Sequence, residues 1–314
     1  MSGLEALLVE PLVQYGFMRT GLAAAIAVGA TSAVLSCLLV VRGQALLGDA
    51  ISHAVLLGVV LGYLVGGELG ILGGALIVAV LTGAGITTVT RHAPFRADTA
   101  MGVLFPVAFA LGLAIISIVR PRGIDLFHVL FGNVLGVSRA DLWLTIGSGS
   151  AVVAVVVVAF RAFELWSFDP RLAQAMGMRV GRMEHLFTAL LSAAIVAALQ
   201  TVGLILVVAM LVIPGATAAM LTSRLRTMML AAVAVGVGAG VVGLYGSFHV
   251  DVASGPAIVL VAGAAFAVAF LLAPRGLLGA WRGARGPADG EEVAAASYAG
   301  VTTEREEADG GRRG

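Results

Sequence analysis

"GFMRTGLAAAIAVGATSAVLSCLLVV", residues 16–41, is an apolar run long enough to cross a lipid bilayer, and Arg19 is its only charged residue. A helix of roughly 20 apolar residues spans the hydrocarbon core of a membrane. Similar runs recur along the 314-residue chain, which is 60% hydrophobic and 12% charged, with a mean hydropathy of +1.03. This composition lies outside the range of soluble globular domains and predicts a polytopic membrane protein surrounded by lipid.

The apolar runs favour an all-α transmembrane helical bundle over a barrel, because barrel strands alternate in polarity over segments of roughly ten residues. We predict nine spans. Eight spans are the alternative, because only Gln200 and Thr201 interrupt the apolar stretch between Leu186 and Leu221. The predicted spans cover residues 16–41, 50–66, 69–90, 99–119, 141–161, 185–199, 202–222, 227–246 and 255–273.

The placement of arginines predicts the orientation of the bundle in a cell membrane. With nine spans and an external N-terminus, cytoplasmic segments hold Arg42, Arg91, Arg96, Arg161, Arg171, Arg179, Arg182, Arg224, Arg226, Arg275, Arg282 and Arg285. The external segments hold Arg19, Arg120, Arg122 and Arg139. Because cytoplasmic loops carry the excess of basic residues, we expect the N-terminus outside and the C-terminus in the cytoplasm. Residues 1–278 would form the permease domain, and the Gly-, Ala-, Glu- and Arg-rich residues 279–314 a disordered cytoplasmic tail.

"LLGDAISHAVLLG", residues 46–58, places an aspartate and a histidine in an otherwise apolar segment. Asp49 and His53 are four residues apart, so on a helix their side chains share one face. A carboxylate and an imidazole together form half of a site for manganese, zinc or iron(II). The alternative is structural: Asp49 would cap the helix, and His53 would form a hydrogen bond to another helix.

A cytoplasmic loop, residues 163–185, contains the signals of a short capped helix. Asp169 can accept hydrogen bonds from the first helical amides, and Pro170 suits the first helical position. Gly177 can end the helix in a left-handed conformation. Such a helix could bind a peripheral partner, or it could be an ordinary connector.

Two further stretches carry weaker signals. "GLILVVAMLVIPGATAAML", residues 203–221, contains Pro214 and Gly215, which predict a kink or break of the kind that lines some transport paths. Many packed membrane helices are kinked without such a role. Near the last span, Asp251 and Ser254 are read as polar caps, with an entry-side metal contact at His249 or Asp251 as the alternative. We read the other histidines as interfacial polar residues: His92, His128 and His185.

The sequence carries no sign of an enzyme. It has no lysine for a Walker-type phosphate loop, no soluble catalytic domain and no Cys/His cluster with zinc-site spacing. The single cysteine, Cys37, lies within the first apolar run and is read as a buried small side chain. We therefore expect no catalytic residues, no tightly bound cofactor and no nucleic-acid partner.

Four ordered motifs, "GDAISHAVLLG", "FDPRLAQAMG", "GLILVVAMLVIPGATA" and "SGPAIVL", carry a family resemblance. From about Leu12 to Leu278 the chain resembles the ABC-3 type permease subunits of ABC importers for manganese, zinc and iron. The resemblance implies import of a divalent metal ion past Asp49 and His53. It also implies three partners: a cytoplasmic ATP-binding subunit that hydrolyses ATP, an extracellular solute-binding protein, and a second permease chain.

The resemblance further implies that the stretch Phe168 to Arg179 docks into the ATPase; its assigned residues are Phe168, Asp169, Pro170, Ala173 and Gly177. Two positions depart from the family pattern. Leu57 stands where proline is common, which predicts a straighter helix beyond His53. Gly215 stands where alanine is frequent and is expected only to add flexibility.

Three alternatives to a metal importer remain at this point. The chain could be a stand-alone secondary transporter driven by an ion gradient, with Asp49 as a proton-coupled carboxylate. It could be an ABC permease for a non-metal substrate, or a scaffold for envelope proteins. Adjacent genes for a nucleotide-binding subunit and a secreted binding protein would favour the importer.

Overall fold

The structure is a computed structural model that describes residues 10–92, 97–119, 134–273 and 275–277. Regular structure in these residues is helical throughout, which confirms the predicted all-α class. The helices are α1 (Glu10–Gln14), α2 (Gly16–Val41), α3 (Ala45–His92), α4 (Ala97–Val119), α5 (Arg139–Val158), α6 (Phe160–Phe168), α7 (Pro170–Ala175), α8 (Val180–Val202), α9 (Leu204–Leu221), α10 (Leu225–Val250) and α11 (Ser254–Leu272), with a 3₁₀ turn at Val134–Gly136. Residues 279–314, predicted to be a tail, and His128 lie outside the described residues.

Eight of the described helices are long and apolar enough to cross a membrane. One of them, α3, has 48 residues, which would extend about 72 Å if it were straight. Gly67 breaks it with φ 59° and ψ −145°, and the chain reverses, so that Gly62 and Gly70 lie against each other's backbone. Residues 45–66 form the first leg and residues 68–92 the second leg of a helical hairpin. The described residues therefore contain nine apolar helical segments, as predicted.

The apolar stretch between Leu186 and Leu221, which left the number of spans open, is divided at one residue. Gly203 has φ 77° and ψ 167°, which ends α8 and starts α9. The two helices then have different neighbours: α8 packs on α3 and α5, whereas α9 packs on α2 and α11. The predicted sixth and seventh spans are thus separate helices that diverge from a single glycine.

Helix α2 lies at the centre of the bundle. It packs against α5, α9 and α10, and it is the most buried of the spans. Its contact with α10 is close: a Cβ atom at Gly29 would lie only 2.8 Å from the carbonyl oxygen of Gly236. Small residues let membrane helices approach each other in this way. In contrast, α4 packs mainly on α3 and buries only Ala100, Met101 and Gly112.

Several of the arginines assigned to one side of the membrane are found at one end of the bundle. Arg42 and Arg91 both contact Glu184, and Arg226 lies over the ring of Phe160, with its guanidinium carbon 5.2 Å from the ring centre. The helix ends that carry these residues therefore share a face, which we call the arginine face. The short helix α7 follows α6 at this same face.

Candidate functional site

The pair Asp49 and His53 lies near the start of the first leg of α3. Helix α2 ends at a left-handed glycine, Gly43 (φ 64°), and the amide of Gln44 donates to the carbonyl of Leu39 across 2.8 Å, a common helix-ending arrangement. The first leg then begins at Ala45, five residues earlier than predicted. Asp49 is therefore inside the helix, and the alternative in which it is the N-cap is wrong.

The two side chains are in direct contact. His53 Nδ1 lies 3.2 Å from Asp49 Oδ1 and 3.0 Å from the Asp49 carbonyl oxygen. Both of these oxygens are acceptors, so the geometry fits a proton on Nδ1 that is donated to them. The structural alternative required a hydrogen bond from His53 to another helix. The bonds of Nδ1 instead stay within its own helix.

The separation of the pair suits one metal ion. Two ligands bound at about 2.1 Å and at right angles to each other are about 3 Å apart, close to the observed Nδ1 to Oδ1 distance. An ion could replace the proton between the two atoms. The side chains of Asp49 and His53 are 32% and 23% exposed, so the site is open to an ion although it lies in an apolar helix.

Helix α4 forms one wall beside the histidine. The centre of the His53 ring is 5.0 Å from that of Phe105 and 5.6 Å from that of Phe109. A Cβ atom at Gly112 would lie 2.9 Å from the backbone nitrogen of Leu57, so α4 runs very close to the first leg. Sequence reasoning missed the two phenylalanines, because two aromatic residues four apart in an apolar span look like ordinary packing residues.

Within the described residues, no third side chain of a metal-binding type joins the pair. No group of three or more His, Cys, Asp or Glu side chains in this part of the chain could hold an ion. The other described histidines lie exposed near helix ends, and Nδ1 of each contacts a carbonyl oxygen four residues earlier: His92, His185 and His249. Asp251 ends α10 in a left-handed conformation, and no side chain caps α11, so the predicted polar cap there is wrong.

The short helix in the arginine-face loop forms as predicted. The Asp169 carboxylate accepts a hydrogen bond from the amide of Leu172 across 2.9 Å, and Pro170 is the first helical residue. Gly177 ends the turn with φ 83°, and the amide of Met178 donates to the carbonyl of Ala173 across 2.9 Å. The sequence therefore predicted both ends of α7 correctly.

The surface of α7 is suited to contact with another protein. Ala173 is fully buried and anchors the helix on the bundle. Phe168 is the last residue of α6, Leu172 lies within α7 and Met176 is the C-cap of α7; they are 54%, 48% and 71% exposed. We call these three side chains the apolar row of α7. Exposed apolar groups at the polar end of a membrane bundle are typical of an interaction site.

Pro214 and Gly215 are buried inside α9, which stays helical from Leu204 to Leu221. Leu211, less than one turn before Pro214, packs on Gly48, the residue before Asp49. The expectation that Gly215 adds only flexibility is incomplete, because a Cβ atom there would lie 2.6 Å from the carbonyl carbon of Ser36. Gly215 therefore allows α9 to approach α2.

The arginine face contains a charge cluster that sequence reasoning did not predict. Glu184 Oε2 accepts a bond from Arg91 Nε across 2.7 Å, and Glu184 Oε1 is 3.4 Å from Arg42 Nη2. Arg42 also donates to the carbonyl of Trp166 across 3.3 Å, and its guanidinium carbon is 4.3 Å from the centre of the Trp166 ring. Burial lowers the pKa of Arg42, and the nearby Glu184 partly opposes this effect.

Comparison with known proteins identifies the family. The sequence profile of the ABC 3 transport family matches residues 14–273. The chain belongs to this family. It is therefore a multi-pass membrane permease, as the motifs around Asp49, Asp169 and Pro214 suggested.

Individual members of the family are similar over most of their length. The manganese transport system membrane protein MntC of Halalkalibacterium halodurans is 48% identical over 278 residues, which is 88% of this chain and 94% of that protein. The chelated iron transport system membrane protein YfeD of Yersinia pestis is 39% identical, over 86% of this chain and 90% of that protein. The solved structure of PsaBC from Streptococcus pneumoniae in complex with Fab superposes with a TM-score of 0.77 at 37% identity, covering 85% of this chain and 95% of that chain.

Proposed function

We propose that this permease forms the membrane path of an ABC importer that carries a divalent metal ion into the cytoplasm, with manganese as the first candidate. The contact between Asp49 Oδ1 and His53 Nδ1 at 3.2 Å carries the proposal. A carboxylate with an imidazole suits manganese, iron(II) and zinc. The names of the relatives favour manganese, as in MntC, and leave iron open, as in YfeD.

A second copy of the chain would complete the site. One chain offers a carboxylate and an imidazole, and a symmetric pair of chains would offer two of each around one ion. The exposed face of the first leg supports this arrangement, because Leu46, one turn before Asp49, is 54% exposed. Few protein ligands also suit a transported ion, which must bind weakly enough to be released.

The remaining partners follow from the arginine face and from α7. We place the arginine face in the cytoplasm, because basic residues concentrate on the cytoplasmic side of membrane proteins. The apolar row of α7 would then bind a separate ATP-binding subunit, which hydrolyses ATP. An extracellular solute-binding protein would deliver the ion at the opposite end of the bundle.

Uptake into vesicles tests this function. The permease is reconstituted with a nucleotide-binding protein and a solute-binding protein, and uptake of Mn²⁺, Zn²⁺ and Fe²⁺ is measured with and without ATP. We expect ATP-dependent uptake, highest for Mn²⁺. Uptake that needs an ion gradient and no ATP would instead identify a secondary transporter, and ATP hydrolysis without uptake of any of the three ions would contradict a metal substrate.

A further inference from the structure

One carboxylate links the end of α2 to the last turn of the α3 hairpin. Arg42 lies three residues before the hairpin begins, and Arg91 lies in its last turn. Both side chains contact Glu184, which uses Oε1 for Arg42 at 3.4 Å and Oε2 for Arg91 at 2.5–2.7 Å. The hairpin carries Asp49 and His53, so Glu184 contacts the chain just before the leg that holds the pair and also the last turn of the second leg.

The same cluster is connected to α7 from both sides. Glu184 lies in the second turn of α8, the helix that follows α7. The carbonyl of Trp166 accepts a bond from Arg42, and Trp166 belongs to α6, the helix that precedes α7. Both helices that flank α7 are therefore bonded to Arg42, seven residues before Asp49.

The bonds within the cluster are poorly optimised for stability. Arg42 Nε and Trp166 Nε1 are buried without a hydrogen-bond partner, and the Arg42 to Glu184 contact is long at 3.4 Å. Buried ion pairs gain little net free energy, because the loss of hydration offsets their attraction. The 3.4 Å contact of Arg42 is thus the weaker of the two ion pairs that Glu184 forms.

Space for Arg42 to change partners lies beside the cluster. A cavity of about 110 Å³ is lined by Arg42, Arg91 and Glu184 and by the polar side chains of Gln44, Thr87 and Thr90. These amide and hydroxyl groups can accept a hydrogen bond from an arginine that leaves Glu184. The two arginines also disfavour a cation in the cavity, so we do not assign it to the path of the metal ion.

We propose that Glu184 is the joint through which movement of α7 is passed to the end of α2 and to the last turn of the α3 hairpin, and hence to Asp49 and His53. In one state Glu184 holds both arginines; in the other, Arg42 moves into the cavity and the start of the first leg shifts. Glu184 acts as a positioning residue that does not touch the ion. This inference rests on the proposed function, because it takes α7 as the contact for the ATPase.

The variant Glu184→Gln in the complete transporter tests the joint, because it removes the charge and keeps the shape of the side chain. ATP hydrolysis and Mn²⁺ uptake are measured in the same vesicles. We expect hydrolysis and assembly near the wild-type level, and uptake per ATP lower by about tenfold, within the usual range of coupling between distant sites. The double variant with Arg91→Gln and Glu184→Gln should lower uptake per ATP no further than Glu184→Gln alone, because each substitution removes the contact between Arg91 and Glu184.

A matched control and a second readout separate the joint from a structural role. Glu164 on α6 is half-buried and has no ion pair within the described residues, so Glu164→Gln should leave uptake per ATP unchanged. Thiol labelling of Leu46→Cys should change when ATP is added, and Glu184→Gln should abolish that change. Equal losses of hydrolysis and uptake, or a labelling response that survives Glu184→Gln, would overturn the joint.

The labelling response also distinguishes this inference from the proposed function. If the wild-type complex hydrolyses ATP but imports none of the three metal ions, the proposed substrate is wrong. The effect of Glu184→Gln on the ATP-dependent labelling of Leu46→Cys then still decides whether Glu184 passes movement to the hairpin.

Discussion

Ser36 on α2 and Gly215 on α9 are joined by a hydrogen bond in which the Gly215 amide donates to the Ser36 hydroxyl oxygen across 2.9 Å. The same hydroxyl donates to the carbonyl of Val212 across 3.1 Å. Pro214 has no amide hydrogen and disturbs the hydrogen bonds of its helix. Ser36 thus provides partners for the backbone of α9 at the point where the proline weakens the helix.

Ser36→Ala is expected to destabilise the permease by about 1 kcal/mol, because it removes both bonds and leaves a buried amide and a buried carbonyl without this partner. Gly215→Ala should cost more, about 1–3 kcal/mol, because its Cβ atom would meet the backbone of Ser36. Thermal unfolding in detergent measures both effects. Gly238→Ala is the control, since a Cβ atom there has no neighbour within 4 Å; equal melting temperatures for all three variants would contradict the close contact.

Asp49→Asn and His53→Gln should each lower Mn²⁺ uptake by more than about tenfold, because changes even to the groups that support metal ligands cost 10- to 100-fold. The variants keep the approximate size of the side chains, so co-purification with the ATPase should not change. His92→Gln, an exposed histidine in the last turn of α3, is the control. Normal uptake by both site variants would exclude the pair from the path.

Leu172→Asp and Met176→Asp should prevent co-purification with the ATP-binding subunit, because each places a charge in the apolar row of α7. Both side chains are exposed, at 48% and 71%, so the permease should fold normally. Gln174→Asp adds the same charge to the same helix without removing apolar surface, and we expect it to retain the subunit. If the two apolar variants co-purify as well as Gln174→Asp does, α7 is not the docking helix.

Gly62→Ala should destabilise the hairpin, because the new Cβ atom would overlap the backbone at Gly70. Gly66→Ala, only four residues along the same leg, has no neighbour within 4 Å and should be tolerated. A difference of about 1–3 kcal/mol between the two variants in thermal unfolding is the expected result. Identical melting curves would show that the two legs do not pack as closely as the structure indicates.

Leu46→Cys should form a cross-link between two copies of the chain in membranes treated with a bifunctional thiol reagent. The native Cys37 is fully buried, so the new thiol is the accessible one. Val158→Cys, 88% exposed near the end of α5, is the control and should remain uncrosslinked. A monomer for Leu46→Cys, or a dimer for Val158→Cys, would contradict a paired site at the first leg.

Local signals predicted the parts of this protein that depend on neighbouring residues. The run Gly16–Val41 matches α2 at both ends, because the bilayer sets the length of an apolar helix. Asp169, Pro170 and Gly177 predicted α7, because capping involves atoms only a few residues apart. The contact of Asp49 with His53 also followed from the sequence, because four residues along a helix bring two side chains to the same face.

The sequence by itself thus determined a helical membrane bundle, its apolar segments, its short capped helix and the pairing of Asp49 with His53. Only the tertiary structure decided which distant residues meet: Phe105 beside His53, Ser36 against Gly215, and Glu184 between Arg42 and Arg91. The physical reason is that these contacts depend on how whole helices pack, and that packing follows from close approaches at residues such as Gly29, Gly62 and Gly215. A glycine in an apolar run looks the same in the sequence whether it faces lipid or another backbone.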